Sequence, residues 1–201
     1  MHALVVVAHP DPASLSQAVA QKLAEGVSGA GHSAEIADLA REGFDPRFTL
    51  NDLAAHRREI AQPADIAFEQ MRIDRADALV LVYPVYWWSM PALMKGWIER
   101  VFANGWAYDE LEGGKTVRKL QHLPVHLVAV AGADLRTYAR HGYFGAMRTQ
   151  IDHGIFGYCG APVVTSELLV PVPEMSEHLD TARVLGGRVF ASAVSKVADA
   201  A

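Results

Sequence analysis

Cysteine is nearly absent from this sequence. Cys159 stands alone among 201 residues, so no internal disulfide can form, and a reducing compartment fits best. A basic tract is also missing. With 18 Lys and Arg against 23 Asp and Glu, the net charge of −5 gives nucleic acid no electrostatic purchase. No basic region precedes Ala3-Leu4-Val5-Val6-Val7-Ala8, so the start does not read as a secretory signal. The longest uncharged stretch, Ala78 to Met94, is broken by Pro84 and Pro91 and falls short of the ~20 residues of a bilayer span. Internal repeats, low-complexity tracts and linkers are absent. A cytoplasmic protein that is not membrane-embedded is expected, as one domain over residues 1–201.

What is present is alternation. Apolar, β-branched runs at Leu4–Ala8, Ala34–Leu39, Ala78–Tyr83, Val125–Ala131 and Val163–Val170 read as five strands. Between them lie helical patterns at Ser14–Val27, Asn51–Ile60, Ile66–Arg75, Ala92–Phe102 and Gly142–His153, with a closing helix at Leu179–Val197. Ser14 and Gln17 have capping-box spacing. Ser89-Met90-Pro91 offers an N-cap and a first-turn proline. Glu110–Gln121, with Gly113-Gly114, reads as a loop or hairpin. Strands alternating with helices predict an α/β fold: a doubly wound, five-stranded parallel sheet, flavodoxin-like, of order 2-1-3-4-5. Ligands of such sheets sit at the carboxyl ends of the strands. Function should therefore lie in the loops after Ala8, Tyr83 and Ala131.

The first of these, His9-Pro10-Asp11-Pro12-Ala13-Ser14, leads into a helix whose unpaired N–H groups form an anion seat. Ser14, Ser16 and His9 can add donors. The loop has no glycine, which excludes the P-loop and the dinucleotide-binding glycine fingerprint. An equally plain reading has Ser14 cap the helix and His9 close the strand. A third reading notes that Ala8-His9-Pro10-Asp11 resembles the start of the zinc-dependent amide deacetylase motif. Pro12 and Ala13 replace that motif's Asp and Glu, and no close metal spacing such as H-E-x-x-H occurs elsewhere. No metal site is expected.

The second loop places Tyr86-Trp87-Trp88 between a buried strand and a helix, suited to flanking a flat, partly apolar ligand. Tyr83-Pro84-Val85-Tyr86-Trp87-Trp88-Ser89-Met90-Pro91-Ala92-Leu93-Met94-Lys95-Gly96-Trp97-Ile98-Glu99-Arg100-Val101-Phe102 resembles the signature of DT-diaphorase-type NAD(P)H:quinone oxidoreductases. That family includes modulator-of-drug-activity proteins and ancillary subunits of potassium-efflux systems. The resemblance extends to the His9–Ser16 loop and the Phe44-Asp45-Pro46 connection. It implies a flavodoxin-like flavin-binding domain. His9, Ser14, Leu15 and Ser16 would face the flavin phosphates and ribityl chain. Pro84, Val85, Tyr86, Trp87 and Trp88 would line the isoalloxazine.

In the third loop the resemblance is looser. Val130-Ala131-Gly132-Ala133 stands where the family has Thr-Thr-Gly-Gly. Ala131, Gly132, Ala133 and Tyr138 are cofactor-binding candidates, and Tyr138 aligns with the family's active-site tyrosine. The family's histidine position falls on Phe144, leaving His141 as the substitute catalytic candidate. Trp88 and Phe144 are candidates for substrate binding. Arg136 and Arg140 are candidates for the NADPH phosphates. The implied activity is ping-pong hydride transfer from NAD(P)H through flavin N5 to a quinone. FAD is the implied flavin, from the Phe44-Asp45-Pro46 connection, with FMN the alternative. A homodimer is also implied, with Trp97 and Trp106 as interface candidates. A flavin-binding regulatory subunit of a membrane transporter would carry the same residues.

Overall fold

The structure is a computed structural model that describes residues 1–111 and 113–191. Its centre is a five-stranded parallel sheet built from β1 (His2–Val7), β2 (Ser33–Asp38), β3 (Ala78–Pro84), β6 (Val125–Val130) and β7 (Val163–Leu169). Two further strands, β4 (Tyr108–Glu110) and β5 (Thr116–Arg118), form an antiparallel hairpin outside the sheet. The loop-or-hairpin expectation for that segment thus resolves as a hairpin. Across the sheet the order is β2-β1-β3-β6-β7. Counting sheet strands alone, this is the expected 2-1-3-4-5.

Alternation along the strands divides the core into two. Leu4, Val6, Leu79, Leu81 and Tyr83 point to one face, and Ala3, Val5, Val7, Val80 and Val82 to the other. The second face is covered by α1 (Leu15–Gly29) and α7 (Met175–Arg188). These two helices touch backbone to backbone. A Cβ on Gly186 would fall 2.0 Å from the Leu23 carbonyl oxygen, so glycine is required there. The first face is covered by α3 (Ala64–Asp74), α4 (Ala92–Val101) and a ten-residue π-helix (Arg148–Gly157). The short helices α2 (Leu50–His56), α5 (Leu135–His141) and α6 (Tyr143–Met147) complete the chain. Cys159 lies buried just after the π-helix, and burial pushes its thiol up to about 11.

Several expectations are corrected. The helix expected over Gly142–His153 is α6 continued by the π-helix, and α5 is an additional element before it. Ser89 does not cap α4; Pro91 occupies the N-cap, and no side chain bonds there. Ser14 does cap α1, its Oγ accepting from the Gln17 N–H at 3.3 Å. The reciprocal half of that box is missing, because Gln17 Nε2 donates to Asp38 instead. Trp97 is enclosed by its own chain and donates from Nε1 to Glu69 at 2.8 Å, so it is core and offers no surface to a partner. The part of the expected closing helix over 192–197 lies outside the described residues.

His126 of β6 is buried on the α7 side, with Nδ1 3.0 Å from Thr165 Oγ1 and no hydrogen bond at Nε2 among the described residues. Burial pushes its pKa down to about 4, against a weaker upward pull from the Val189 carbonyl. The unfolded chain therefore binds this proton between pH 6.5 and 4 while the folded chain does not. Stability falls as pH drops through that window, by up to about 3 kcal/mol for this group. His126→Leu should shrink the loss of urea stability between pH 7 and pH 4.5. An unchanged difference would show that other groups drive acid unfolding.

Candidate functional site

Three loops converge at the carboxyl edge of the sheet. The second is the most constrained. Tyr86 and Ser89 exchange backbone hydrogen bonds of 3.0 and 3.1 Å, closing a two-residue turn. Its central residues, Trp87 and Trp88, have φ of 51° and 60°. Both lie in the left-handed region, as a type I′ turn requires, where Asn-Gly is the usual pair. Two consecutive tryptophans there store backbone strain, a device concentrated at functional sites. No hydrogen bond from the Trp87 or Trp88 N–H is formed among the described residues, so both donors are available. Val85 ties the loop back to the sheet, its N–H donating to the Val130 carbonyl at 2.8 Å. Ser89 Oγ donates to Gln150 Oε1 at 2.6 Å, joining the turn to the π-helix.

The two tryptophans are used differently. Trp87 is 93% exposed. Trp88 lies against a cluster of rings, stacked on Tyr143 at 3.7 Å and edge-on to Tyr138 at 5.4 Å. His141 stacks on Tyr143 at 5.2 Å. Tyr143 is the member of this cluster that sequence reading missed. The signal for it was Gly142, whose φ of 69° ends α5 and starts a new helix one residue later.

In the third loop, Asp134 caps α5 by accepting from the Thr137 N–H at 2.9 Å and its hydroxyl at 2.8 Å. These bonds hold the Asp134 carboxyl below its ordinary pKa. Ala131 donates to the Leu169 carbonyl at 2.8 Å and is buried. Gly132 is exposed, and a Cβ built on it would meet nothing within 4 Å. The backbone there can be approached directly. A hollow of about 210 Å³ lies between Val85, Trp87, Trp88, Gly132, Ala133 and Tyr138. Tyr138 is 2% exposed, and burial raises its phenol pKa, so it stays a proton donor at neutral pH.

Tyr138 also lines a second, larger cleft of about 600 Å³ with Leu135, Ala139, Phe144, Leu168 and Val170. Ser166 and Glu167 of β7 complete its rim. Phe144 is 40% exposed there. His141 is on neither cleft wall; it is exposed and packs its ring on Tyr143. Of the two catalytic candidates, the structure brings Tyr138 to the clefts and leaves His141 outside them. Arg136 and Arg140 are exposed on α5.

In the first loop, Asp11 turns inward on itself. Its Oδ1 accepts from the Ala13 N–H at 2.8 Å, and its own N–H donates to His9 Nδ1 at 3.0 Å. A neutral His9 ring then carries its proton on Nε2 and offers a donor. Ser14 spends its hydroxyl on the cap. The N–H groups of Leu15 and Ser16 have no backbone acceptor among the described residues, which leaves the first turn of α1 as two free donors with the helix dipole behind them. The side chain of Leu15 packs into the core, and Ser16 is buried.

The Phe44-Asp45-Pro46 connection is clamped to α4. Arg100 donates to the Asp45 carbonyl at 2.8 Å, and a Cβ on Gly96 would lie 2.3 Å from the Pro46 oxygen. Among the described residues, no three His, Cys, Asp or Glu side chains converge as a metal set, and no helix is long and apolar enough to cross a membrane.

Residues 1–184 match a protein family described as having a flavodoxin-like fold. The chain is 30% identical over 169 residues to an uncharacterized NAD(P)H oxidoreductase of Haemophilus influenzae, covering 84% of this chain and 83% of that one. It is 28% identical over 195 residues to mouse ribosyldihydronicotinamide dehydrogenase [quinone], covering 87% and 84%. Among solved structures, the NAD(P)H:quinone oxidoreductase from Methanothermobacter marburgensis superposes with a TM-score of 0.84 at 30% identity, over 93% of this chain and 98% of that one.

Proposed function

Because the chain belongs to the flavodoxin-like fold family, among its NAD(P)H:quinone oxidoreductases, we propose that it holds a flavin at the carboxyl edge of its sheet and moves electrons from NAD(P)H to a quinone. The observation that carries this reading is the strained Trp87-Trp88 turn. It leaves two backbone donors without partners among the described residues, beside an open glycine and a buried tyrosine. A flat, polar-edged ring lying against it would satisfy those donors.

When bound, the flavin supplies two-electron hydride chemistry, oxidising NAD(P)H and then reducing a quinone to hydroquinone in a ping-pong exchange. The chain supplies position and electrostatics. The Leu15 and Ser16 N–H groups and His9 Nε2 would hold the phosphate end. The Trp87 and Trp88 N–H groups would take polar edges of the ring, and the Gly132 backbone would let it approach. Tyr138, kept protonated by burial, would donate a hydrogen bond to negative charge that develops beside it. Phe144 and Trp88 give the acceptor apolar walls. Hydride exchange needs no base, and the proton that completes the hydroquinone would come from solvent at the open clefts.

FAD is the favoured flavin, on the Phe44-Asp45-Pro46 connection; FMN would use the same ring site without an adenosine end. We read the molecule as a single flavin-binding domain working as a cytoplasmic homodimer. The exposed Trp87 and Tyr86 form an apolar rim that a second subunit can cover, and Trp106, half-buried and bonded to Asp74, keeps some surface for a partner.

The test is the visible spectrum of the purified protein, with the released cofactor identified by chromatography. Flavin bands should bleach under anaerobic NAD(P)H and return on adding quinone. A colourless protein that takes up neither added FAD nor FMN would overturn the reading.

A further inference from the structure

The larger cleft beside Tyr138 is more apolar and roomier than a small quinone ring requires. We propose that it seats the hydrocarbon side chain of a tailed quinone, so that this enzyme prefers acceptors carrying an alkyl or prenyl chain over the bare ring. The inference rests on the quinone-reductase reading and names the substrate class of that site.

Three observations support it. First, the cleft adjoins the candidate redox site. Tyr138 forms a wall of both hollows, and Phe144 lies on the far side of the larger one. A ring held at Trp88 and Tyr138 would lie next to the cleft, so that a side chain on it could enter. Second, the volume of about 600 Å³ adds to the ring site instead of duplicating it. Third, the lining matches a hydrocarbon. Leu135, Ala139, Phe144, Leu168 and Val170 are apolar, and Ser166 adds one hydroxyl. Glu167 is the charged residue on the rim, and strand alternation turns its side chain away. Leu168 and Val170 pack with the core on the cleft side, whereas Leu169, which shares a face with Glu167, packs with the core on the opposite side. Leu135 is 62% exposed at the cleft mouth and Phe144 is 40% exposed, surface that a chain would cover.

Leu135 is also a safe place to test the idea. It is the first residue of α5, where an acidic side chain agrees with the helix dipole. The experiment compares kcat/KM of the flavin-loaded protein for a dimethoxy-methyl-benzoquinone and the same ring bearing a ten-carbon chain. Concentrations are kept below micelle formation. Two methylenes buried at ~0.8 kcal/mol each already give roughly tenfold. The chain should therefore raise kcat/KM tenfold or more, through KM, and Leu135→Asp should bring the ratio of the two acceptors toward one. Equal kcat/KM for the two quinones, or a ratio unchanged in Leu135→Asp, would overturn the proposal.

A second measurement separates this idea from the redox reading. Calorimetric titration with a redox-inert alkylresorcinol should show binding that Leu135→Asp abolishes. If the protein takes up no flavin yet binds the alkylresorcinol in this way, the cleft stands and the reductase reading falls. If quinone turnover proceeds without any chain dependence, the reductase stands and the cleft assignment falls.

Discussion

Exchanging Trp87-Trp88 for Asn-Gly is expected to leave folding nearly unchanged while removing most of the flavin affinity. The two effects have different origins. Left-handed backbone costs a non-glycine residue roughly 1–2 kcal/mol, and Asn-Gly relieves both central positions of this turn. Against that stands the lost packing of the half-buried Trp88 on Tyr138 and Tyr143, on the order of 2–3 kcal/mol. The sum should stay within about 1 kcal/mol of zero in urea unfolding of the apoprotein. Flavin affinity has no such compensation. Aromatic stacking on a heterocycle is worth ~1–3 kcal/mol, so the dissociation constant should rise about 10- to 100-fold. Flavin fluorescence on titration reads it. A variant that binds flavin as the parent does would show that the tryptophans serve the fold alone.

The second large effect lies away from the loops. Arg72 is 4% exposed and reaches three carboxylates: Glu35 at 2.8 Å, Glu42 at 2.7 Å and Glu69 at 2.9 Å. Burial opposes its charge, but the hydrogen bonds it donates to Glu42 and Glu69 outweigh that and raise its pKa above the ordinary value. Glu69 is equally buried and also accepts from Trp97 Nε1, so the cluster pins α3 and β2 to α4, the helix that continues from the aromatic turn. Arg72→Met leaves the Glu69 carboxylate buried without its cation, and that arrangement typically costs ~3–5 kcal/mol. The melting temperature should fall by roughly 10 °C. Adding Glu69→Gln removes the stranded charge while keeping an acceptor for Trp97, and should recover about half the loss. A single variant that melts with the parent would show the cluster to be solvated in solution.

The strands were legible because β-branched runs bounded by turn residues leave little choice, and each of the five fell within one or two residues of its reading. The order of the sheet came from the alternation with helices. The loops that carry the site were legible for the same topological reason. What escaped was geometry that composition does not encode. Trp87-Trp88 gave no sign of a type I′ turn, because the residues that normally announce one are absent. The π-helix carries a pattern too close to an ordinary helix to separate by period. Gly142 was legible as a glycine in a helical region, but its left-handed φ divides α5 from α6. Tyr143 therefore fell at the start of an expected helix with no role read for it, and it stacks on Trp88. His141 looked like a stand-in for a missing histidine by proximity in sequence. Helix α5 carries it past the clefts and leaves Tyr138 inside.

Cys159 gives the molecule a built-in clock. The chain has no second thiol to confuse the signal, and this one is buried and mostly protonated at neutral pH. A thiol reagent therefore meets it only when the packing around the π-helix comes apart. The rate of its modification counts openings of the body that frames the aromatic turn. A ligand seated on that turn slows the clock in proportion to how tightly it holds the closed form.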